Sequence, residues 1–246
     1  MNFTILRFDS IDSTNTEALK HARRGADEGL CISARQQTGG RGRHGRVWSS
    51  PKDAGLYTSI VLRPKLDPTF LPLITLASGV AVHDALVELG IKPDIKWPND
   101  VLVDERKISG ILAEMTETPT GIAVVAGIGI NLTSKNIPSE IAGTATSVEM
   151  ELKRPVSAAD MENSLLKYLG YFYGALSEAD GHRIILTEWQ RRSTYAVGKN
   201  VRVVLENEPV VGTTDGLATN GALRIRQADG KVTSIQAGDV ERLRTA

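Results

Sequence analysis

Three short segments carry residue types whose chemistry fits together. The sharpest is Gln37-Thr-Gly-Gly-Arg-Gly-Arg-His-Gly-Arg46, which presents Arg41, Arg43 and Arg46 among glycines, with no acid between Glu28 and Asp53. Gly40, Gly42 and Gly45 have the spacing of a dinucleotide fingerprint. Such a site needs a helix opening directly after the glycines, and Trp48, Ser49, Ser50, Pro51 and Gly55 follow instead. The segment reads as a flexible loop that folds over an anionic small molecule, its glycines admitting close backbone N–H approach and its guanidiniums making charge-assisted bonds. Taken alone, a solvated loop or a nonspecific RNA contact fits it equally well.

The second segment, Lys96-Trp-Pro-Asn-Asp100, ends a strand on a lysine and places an Asn–Asp pair in the turn; Lys107-Ile-Ser-Gly110 starts the next strand. A hairpin there brings Lys96 and Lys107 together. Two ammoniums held close repel unless an anion lies between them, so the spacing predicts a substrate with several negative charges. The oxygens of Asn99 and Asp100 suit Mg²⁺, which binds through few protein ligands plus phosphate. The third segment, Gly127-Ile-Gly129-Ile-Asn131, sets alternate glycines in an apolar strand, where either a flat group approaches the backbone or a helix packs closely. Ser13, Thr14 and Asn15 either cap a helix or offer hydroxyl and amide groups to a polar ligand. The four histidines show no metal-ligand spacing, and no Gly-x-Ser-x-Gly elbow occurs.

The elements that must position these residues follow from periodicity. Strands are expected over 4–9, 30–35 and 56–62, a helix from Thr14 with Thr14 and Glu17 as a capping box, and a core helix over 71–89. Runs at 94–97, 101–103, 108–115 and 122–132 predict a meandering, mostly antiparallel sheet. A helical pattern covers 157 to about 192. Five short β-runs then follow, at 201–205, 210–215, 216–219, 222–226 and 232–235, separated by turns at Asn207–Glu208, Asn220–Gly221 and Asp229–Gly230, which predict a small barrel.

The 246 residues balance 29 Lys+Arg against 29 Asp+Glu, with 41% hydrophobic and 24% charged. That composition excludes a mainly disordered chain and argues against a nucleic-acid-coating protein, whose affinity rests on surplus Lys and Arg. No uninterrupted run approaches the ~18 apolar residues of a membrane span, and Arg7, Asp9 and Asp12 stand where a signal peptide needs its apolar stretch. Cys31 is the single cysteine, a small buried hydrophobe by its context. A cytoplasmic protein with no membrane contact is expected.

Taken together, Ser13-Thr-Asn15, the 37–46 loop with Trp48, Lys96-Trp-Pro-Asn-Asp100, Arg106-Lys107 with Gly110, and Gly127-Ile-Gly-Ile-Asn131 resemble the biotin protein ligase family in order and spacing. The resemblance runs from residue 1 to about 190, and the β-rich segment after Val197 is similar to that family's C-terminal SH3-like domain. It implies an α+β fold: a catalytic domain over 1–194 with a mixed sheet flanked by helices, related to class II aminoacyl-tRNA synthetases, and an SH3-like β-barrel over 195–246. It implies two half-reactions, biotin plus MgATP giving biotinyl-5′-AMP, then transfer to one lysine of the biotin carboxyl carrier domain of a biotin-dependent carboxylase such as acetyl-CoA carboxylase.

By the same resemblance, Ser13, Thr14, Asn15 and Gln37 hold the ureido ring, and Arg41, Gly42 and Arg43 close over the carboxylate and acyl-phosphate. Lys107 contacts the carboxylate and α-phosphate, Lys96 and Arg46 serve the ATP phosphates, and Asn99 and Asp100 serve the metal and incoming lysine. Trp48 and Asn131 receive the adenine; Gly110, Gly127 and Gly129 line the pocket. The chain resembles a short form without the N-terminal DNA-binding domain, so no DNA partner is expected; monomer and homodimer both stay open. The rival readings are a lipoate or octanoate ligase or transferase on the related fold, which the polar cluster at 13–15 and Gln37 disfavours, and a non-catalytic binder.

Overall fold

The computed structural model describes residues 1–205 and 208–242. Its longest hairpin joins β6 (Arg106–Thr118) to β7 (Gly121–Asn131), paired from Ser109↔Ile130 to Thr118↔Gly121. β6 outruns the 108–115 run expected for it, because backbone pairing continues through polar residues at the exposed end, while β7 is the expected 122–132 run shifted by one residue. The hairpin lies within a seven-stranded sheet of order β1 (Thr4–Phe8), β2 (Leu30–Ala34), β3 (Gly55–Leu62), β7, β6, β5 (Asp100–Val103), β4 (Asp94–Lys96). Only β1–β2 is parallel, so the sheet is mixed, as expected.

Strand alternation sorts the side chains between two faces. Leu56, Ile60, Leu62, Val124, Ala126, Ile128 and Ile130 belong to the main core, with α2 (Leu73–Glu88), α4 (Ala158–Leu176) and α5 (Gly181–Arg191). Ile32, Val61, Ala123 and Val125 face the other way, against Ala18, Leu19 and Ala22 of α1 (Thr14–Arg23). At ten residues α1 is about 15 Å long and covers only part of that face. The uncovered part is where the glycines of β6 and β7 lie.

The segment Pro68–Glu88 is long and apolar enough, by length and composition, to cross a membrane. Thr75, Ser78, His83 and Asp84 interrupt its apolar residues. Here the helix α2 is buried around its circumference, from Leu73 to Leu86, and its apolar surface forms the core under the sheet. The single helical pattern expected from 157 to 192 is two helices. Asp180 takes a left-handed conformation (φ 59°), and a Cβ on Gly181 would stand 2.4 Å from the Ala175 carbonyl oxygen, so the chain turns sharply there. A short helix α3 (Val148–Leu152), capped by Ser147, was not legible in the periodicity.

The C-terminal segment is a five-stranded antiparallel sheet of order β11 (Val232–Ile235), β10 (Leu223–Arg226), β9 (Val210–Leu217), β8 (Val197–Val204), β12 (Asp239–Arg242). The runs at 210–215 and 216–219 form one strand, and β12 was not anticipated. Among the described residues β11 and β12 do not pair, so the expected barrel is not closed; of the expected Asn207–Glu208 turn, Asn207 lies outside the described residues. The Asn220–Gly221 turn docks on the larger sheet's helices: Trp97 Nε1 donates to the Gly221 carbonyl at 3.0 Å, and Gly221 packs so closely that a Cβ would meet Leu73 at 2.8 Å. Ser193 Oγ donates to the Ile95 carbonyl at 2.6 Å and Thr194 pairs with Asp94, fixing the connection into β8.

Candidate active site

Across the uncovered face, Tyr57 of β3 pairs with Gly129 of β7, Gly129 with Gly110 of β6, and Gly110 with Asp100 of β5. One row on, Ser59 pairs with Gly127 and Gly127 with Leu112. Three glycines therefore leave a bare strip of backbone, the floor of an open cavity of about 780 Å³. The flat groups on the strip belong to the chain itself. A Cβ on Gly129 would lie 2.5 Å from the Trp48 indole, and one on Gly127 would lie 1.8 Å from Asn15 Oδ1.

The N-terminus of α1 points into one end of the cavity. Ser13 is the cap residue, its Oγ accepting from Thr16 N at 3.4 Å. This corrects the expected cap at Thr14, and it leaves Thr14 and Asn15 free to turn their side chains onto the floor. Thr14 Oγ1 lies 3.0 Å from Gln37 Oε1 and 2.8 Å from Ser59 Oγ, and Ser59 also reaches Asn15 Oδ1 at 2.6 Å. Gln37 Nε2 continues the chain to Ser50 Oγ at 2.8 Å, which donates to the Trp48 carbonyl at 3.1 Å. A buried polar network of this kind holds each member in one orientation.

The other end is cationic, and every cation has an acidic or amide oxygen beside it. Arg41 forks onto Glu114 at 2.7 and 3.0 Å. Lys107 Nζ lies 2.6 Å from Asp100 and 5.3 Å from the centre of the Trp48 ring. Arg46 pairs with Asp239, while Arg43 donates to Asn99 Oδ1 at 3.0 Å and stands 3.8 Å from Asp239. Burial lowers the Arg43 pKa from its ordinary value, against the raising pull of Asp239 and Asp100. Four cations thus face three carboxylates, and Arg43 is the surplus charge available to an incoming anion.

Of the residues singled out in the sequence, Ser13, Thr14, Asn15, Gln37, Arg41, Gly42, Arg43, Arg46, Trp48, Asn99, Asp100, Lys107, Gly110, Gly127 and Gly129 line this one cavity. Lys96 and Asn131 do not. β5 runs between the strands of Lys96 and Lys107, so the hairpin expected to join them does not exist, and Lys107 meets an acid instead of a second ammonium. The Asn131 amide donates to the Thr146 carbonyl at 3.0 Å and to the Lys107 carbonyl at 3.4 Å, bracing the start of β6. Val47, Tyr57, Ile111, Leu112, Ile128 and Asp239 also line the cavity, and Glu114 and Ser59 support it from outside the lining. A signal for Glu114 was present in the strand period, since Gly110, Leu112 and Glu114 share a face; Asp239 carried none.

The donor set for a divalent ion is thin. Among the described residues no three His, Cys, Asp or Glu side chains cluster as metal ligands. Asn99 does not fit as a ligand, because its Oδ1 faces Arg43 and its Nδ2 donates to the Ile111 carbonyl at 2.8 Å. Asp100 fits as a single carboxylate for an ion that arrives on phosphate oxygens.

Residues 7–131 match the biotin/lipoate A/B protein ligase family, and residues 196–243 match the biotin protein ligase C-terminal domain. The biotin–[acetyl-CoA-carboxylase] ligase of Mycobacterium tuberculosis is 34% identical over 94% of this chain and 86% of its own length. The bifunctional ligase/repressor BirA of Bacillus spizizenii is 33% identical over 95% of this chain and 72% of its own. Among solved structures, the biotin protein ligase from Aquifex aeolicus in complex with biotin and ATP superposes with a TM-score of 0.85, at 28% identity over 98% of this chain and 99% of that one. On these matches, and on the cavity they share a fold around, the chain belongs to the biotin/lipoate A/B protein ligase family.

Proposed function

We propose that this cavity activates biotin with ATP as biotinyl-5′-AMP and passes the biotinyl group to a lysine of a biotin carboxyl carrier domain. The observation that carries this is a single cavity over the glycine strip with a hydrogen-bonding polar end, at Thr14, Asn15 and Gln37, and a cationic end, at Arg43, Arg46 and Lys107. A ureido ring matches the first end, and a carboxylate beside a triphosphate matches the second. A lipoyl tail has no group for the polar end.

A carboxylate resists attack because of its charge, and its mixed anhydride with AMP supplies a leaving group. Lys107 and Arg43 gather the charge that develops on the carboxylate and α-phosphate as pyrophosphate leaves, and removing one such donor raises the barrier by about 2.7–4 kcal/mol. Lys107 exchanges Asp100 for the substrate in doing so. Mg²⁺ arriving on the nucleotide would neutralise phosphate charge, and Asp100 would be the protein carboxylate that holds it. The 37–46 loop, ordered over the adenylate, excludes water from an anhydride that hydrolyses readily. In the second step the carrier lysine's ammonium docks beside Asn99 and Asp100, and Asp100 takes one proton; the free amine attacks the acyl carbon, AMP leaves with the bonding pair, and the second amine proton passes to solvent.

We divide the chain into the catalytic domain over 1–194 and the C-terminal domain over 195–246. The buried thiol of Cys31 supports a reducing, cytoplasmic setting. The zero formal charge, with Arg41 and Arg46 paired to acids, supports a chain without specific DNA binding. A biotin-dependent mobility shift of biotin-operon DNA would overturn that point. The main test is ATP–pyrophosphate exchange measured with biotin and with lipoate: exchange is expected with biotin, and exchange with lipoate alone would reverse the assignment.

A further inference from the structure

Glu114 stands in the middle of β6, outside the cavity lining, and its carboxylate joins two residues that do line it. Oε2 accepts from Asn15 Nδ2 at 2.9 Å and from Arg41 Nη1 at 3.0 Å; Oε1 accepts from Arg41 Nη2 at 2.7 Å. The second proton on Asn15 Nδ2 goes to the Leu112 carbonyl at 3.0 Å. A carboxylate and a carbonyl only accept, so both must be met by the amide nitrogen. The Asn15 side chain is therefore locked in one flip state, with Oδ1 held over Gly127 and both N–H groups turned away.

We propose, resting on the biotin-activating function above, that Glu114 is the positioning residue for biotin recognition. It fixes Asn15 as an acceptor toward a ligand N–H, and it ties that floor residue to the first arginine of the 37–46 loop. The ureido group offers two N–H donors, which an acceptor satisfies and an amide N–H would repel. The tie to Arg41 has a counterpart at the other stem of the loop, where the Thr14, Gln37 and Ser50 side chains lead to the Trp48 carbonyl. Both stems are thus fastened to the residues that meet the ligand ring, so correct seating of the ring and correct placement of the loop reinforce one another. Arg41 serves the site through this placement, since its guanidinium charge is met by Glu114.

The test is steady-state pyrophosphate exchange on Glu114→Gln and Glu114→Asp beside the unaltered chain. Gln keeps the shape but carries its own N–H₂, which sets a donor against Asn15 or Arg41. Asp keeps the charge but is one methylene short of reaching both partners, and it stands in should the Gln variant misfold. The expected result is a biotin KM raised about tenfold to a hundredfold in the Gln variant and less in the Asp variant. The kcat at saturating biotin should stay within a few-fold, and the ATP KM within about twofold. A merely structural role would lower the active fraction, and so kcat, with the biotin KM unmoved; that result overturns the proposal. A lowered biotin KM would also overturn it, showing Glu114 to be a competitor for Arg41. If the unaltered chain shows no biotin-dependent exchange, the function itself fails, and that outcome is distinct from both.

Discussion

Lys107 lies at the meeting point of the glycine floor, the Trp48 indole and Asp100. Its ammonium is held close to a carboxylate in the resting site, so under the proposed function a substrate carboxylate and phosphate would receive it by exchange rather than by a side-chain search. Removing it takes away a preorganised charge-assisted donor at the point where negative charge accumulates. Lys107→Ala should therefore slow adenylation about 10²–10³-fold, read by biotin-dependent pyrophosphate exchange. Thermal stability should change little, because Asp100 and Lys107 are both partly hydrated. An exchange rate equal to that of the unaltered chain would remove Lys107 from the catalytic assignment. The neighbouring glycines act by absence: Gly129 makes room for the indole, and Gly127 for the Asn15 amide.

Two elements carry separable consequences. The arginine–glycine loop is anchored at Gln37 and Trp48, and between them Arg43 reaches across to Asn99. Arg43→Gly removes that crossing and adds backbone freedom. Adenylate should form about 10²–10³-fold more slowly, because one charge-assisted donor is lost, but a larger share should escape, seen as free biotinyl-AMP and labelling of unrelated lysines; slowed adenylation with no rise in the escaping share would count against the loop as a lid. Under the sheet, α2 and the end of α5 are joined by Asp84 with Arg192 at 2.7 Å. Burial alone would raise the Asp84 pKa, but hydrogen bonds from His83 and Arg192 outweigh it and draw the value down to about 2. A folded pKa below the unfolded value near 3.9 gives a contribution that is complete above about pH 4 and lost as pH falls through about 2. Allowing for solvent screening, it is about 1–2 kcal/mol. Arg192→Gln should lower Tm by roughly 2–6 °C at neutral pH, with the deficit shrinking as pH approaches 2. A deficit independent of pH would show that packing, not charge, carries the pair.

At the scale of the whole molecule, the C-terminal sheet is part of the site. Its Asn220–Gly221 turn rests on Trp97 and α2, and that docking carries Asp239 to the edge of the cavity, against Arg46 and Arg43. The tryptophan of Lys96-Trp-Pro-Asn-Asp100 thus fastens the C-terminal sheet to the seven-stranded one. Asp239→Asn leaves this docking intact and removes the acid from the loop. Release of biotinyl-AMP should rise several-fold while adenylation stays within a few-fold. Tm should shift only slightly, because an exposed pair contributes about 0–1 kcal/mol. An adenylate release rate unchanged by the substitution would detach the second domain from loop control.

Much of this was legible in order along the chain. Local propensity marked the strands and helices around the site, the glycine pairs announced close approach to the backbone, and the Gly–Arg loop with Lys107 announced an anionic substrate. These are short-range properties, set by residues within a turn or a strand of one another. Tertiary structure alone decided the partners. β5 intervenes between β4 and β6, so Lys96 stands apart from Lys107; the flat group over Gly129 is Trp48; and Asn131 donates to backbone carbonyls and lies outside the cavity lining. The acids that hold the loop come from 73 and 193 residues away along the chain, at Glu114 and Asp239. Spacing in sequence carries no record of which strands become neighbours in a sheet, and an ion pair is fixed by that neighbourhood, not by either residue's own preference.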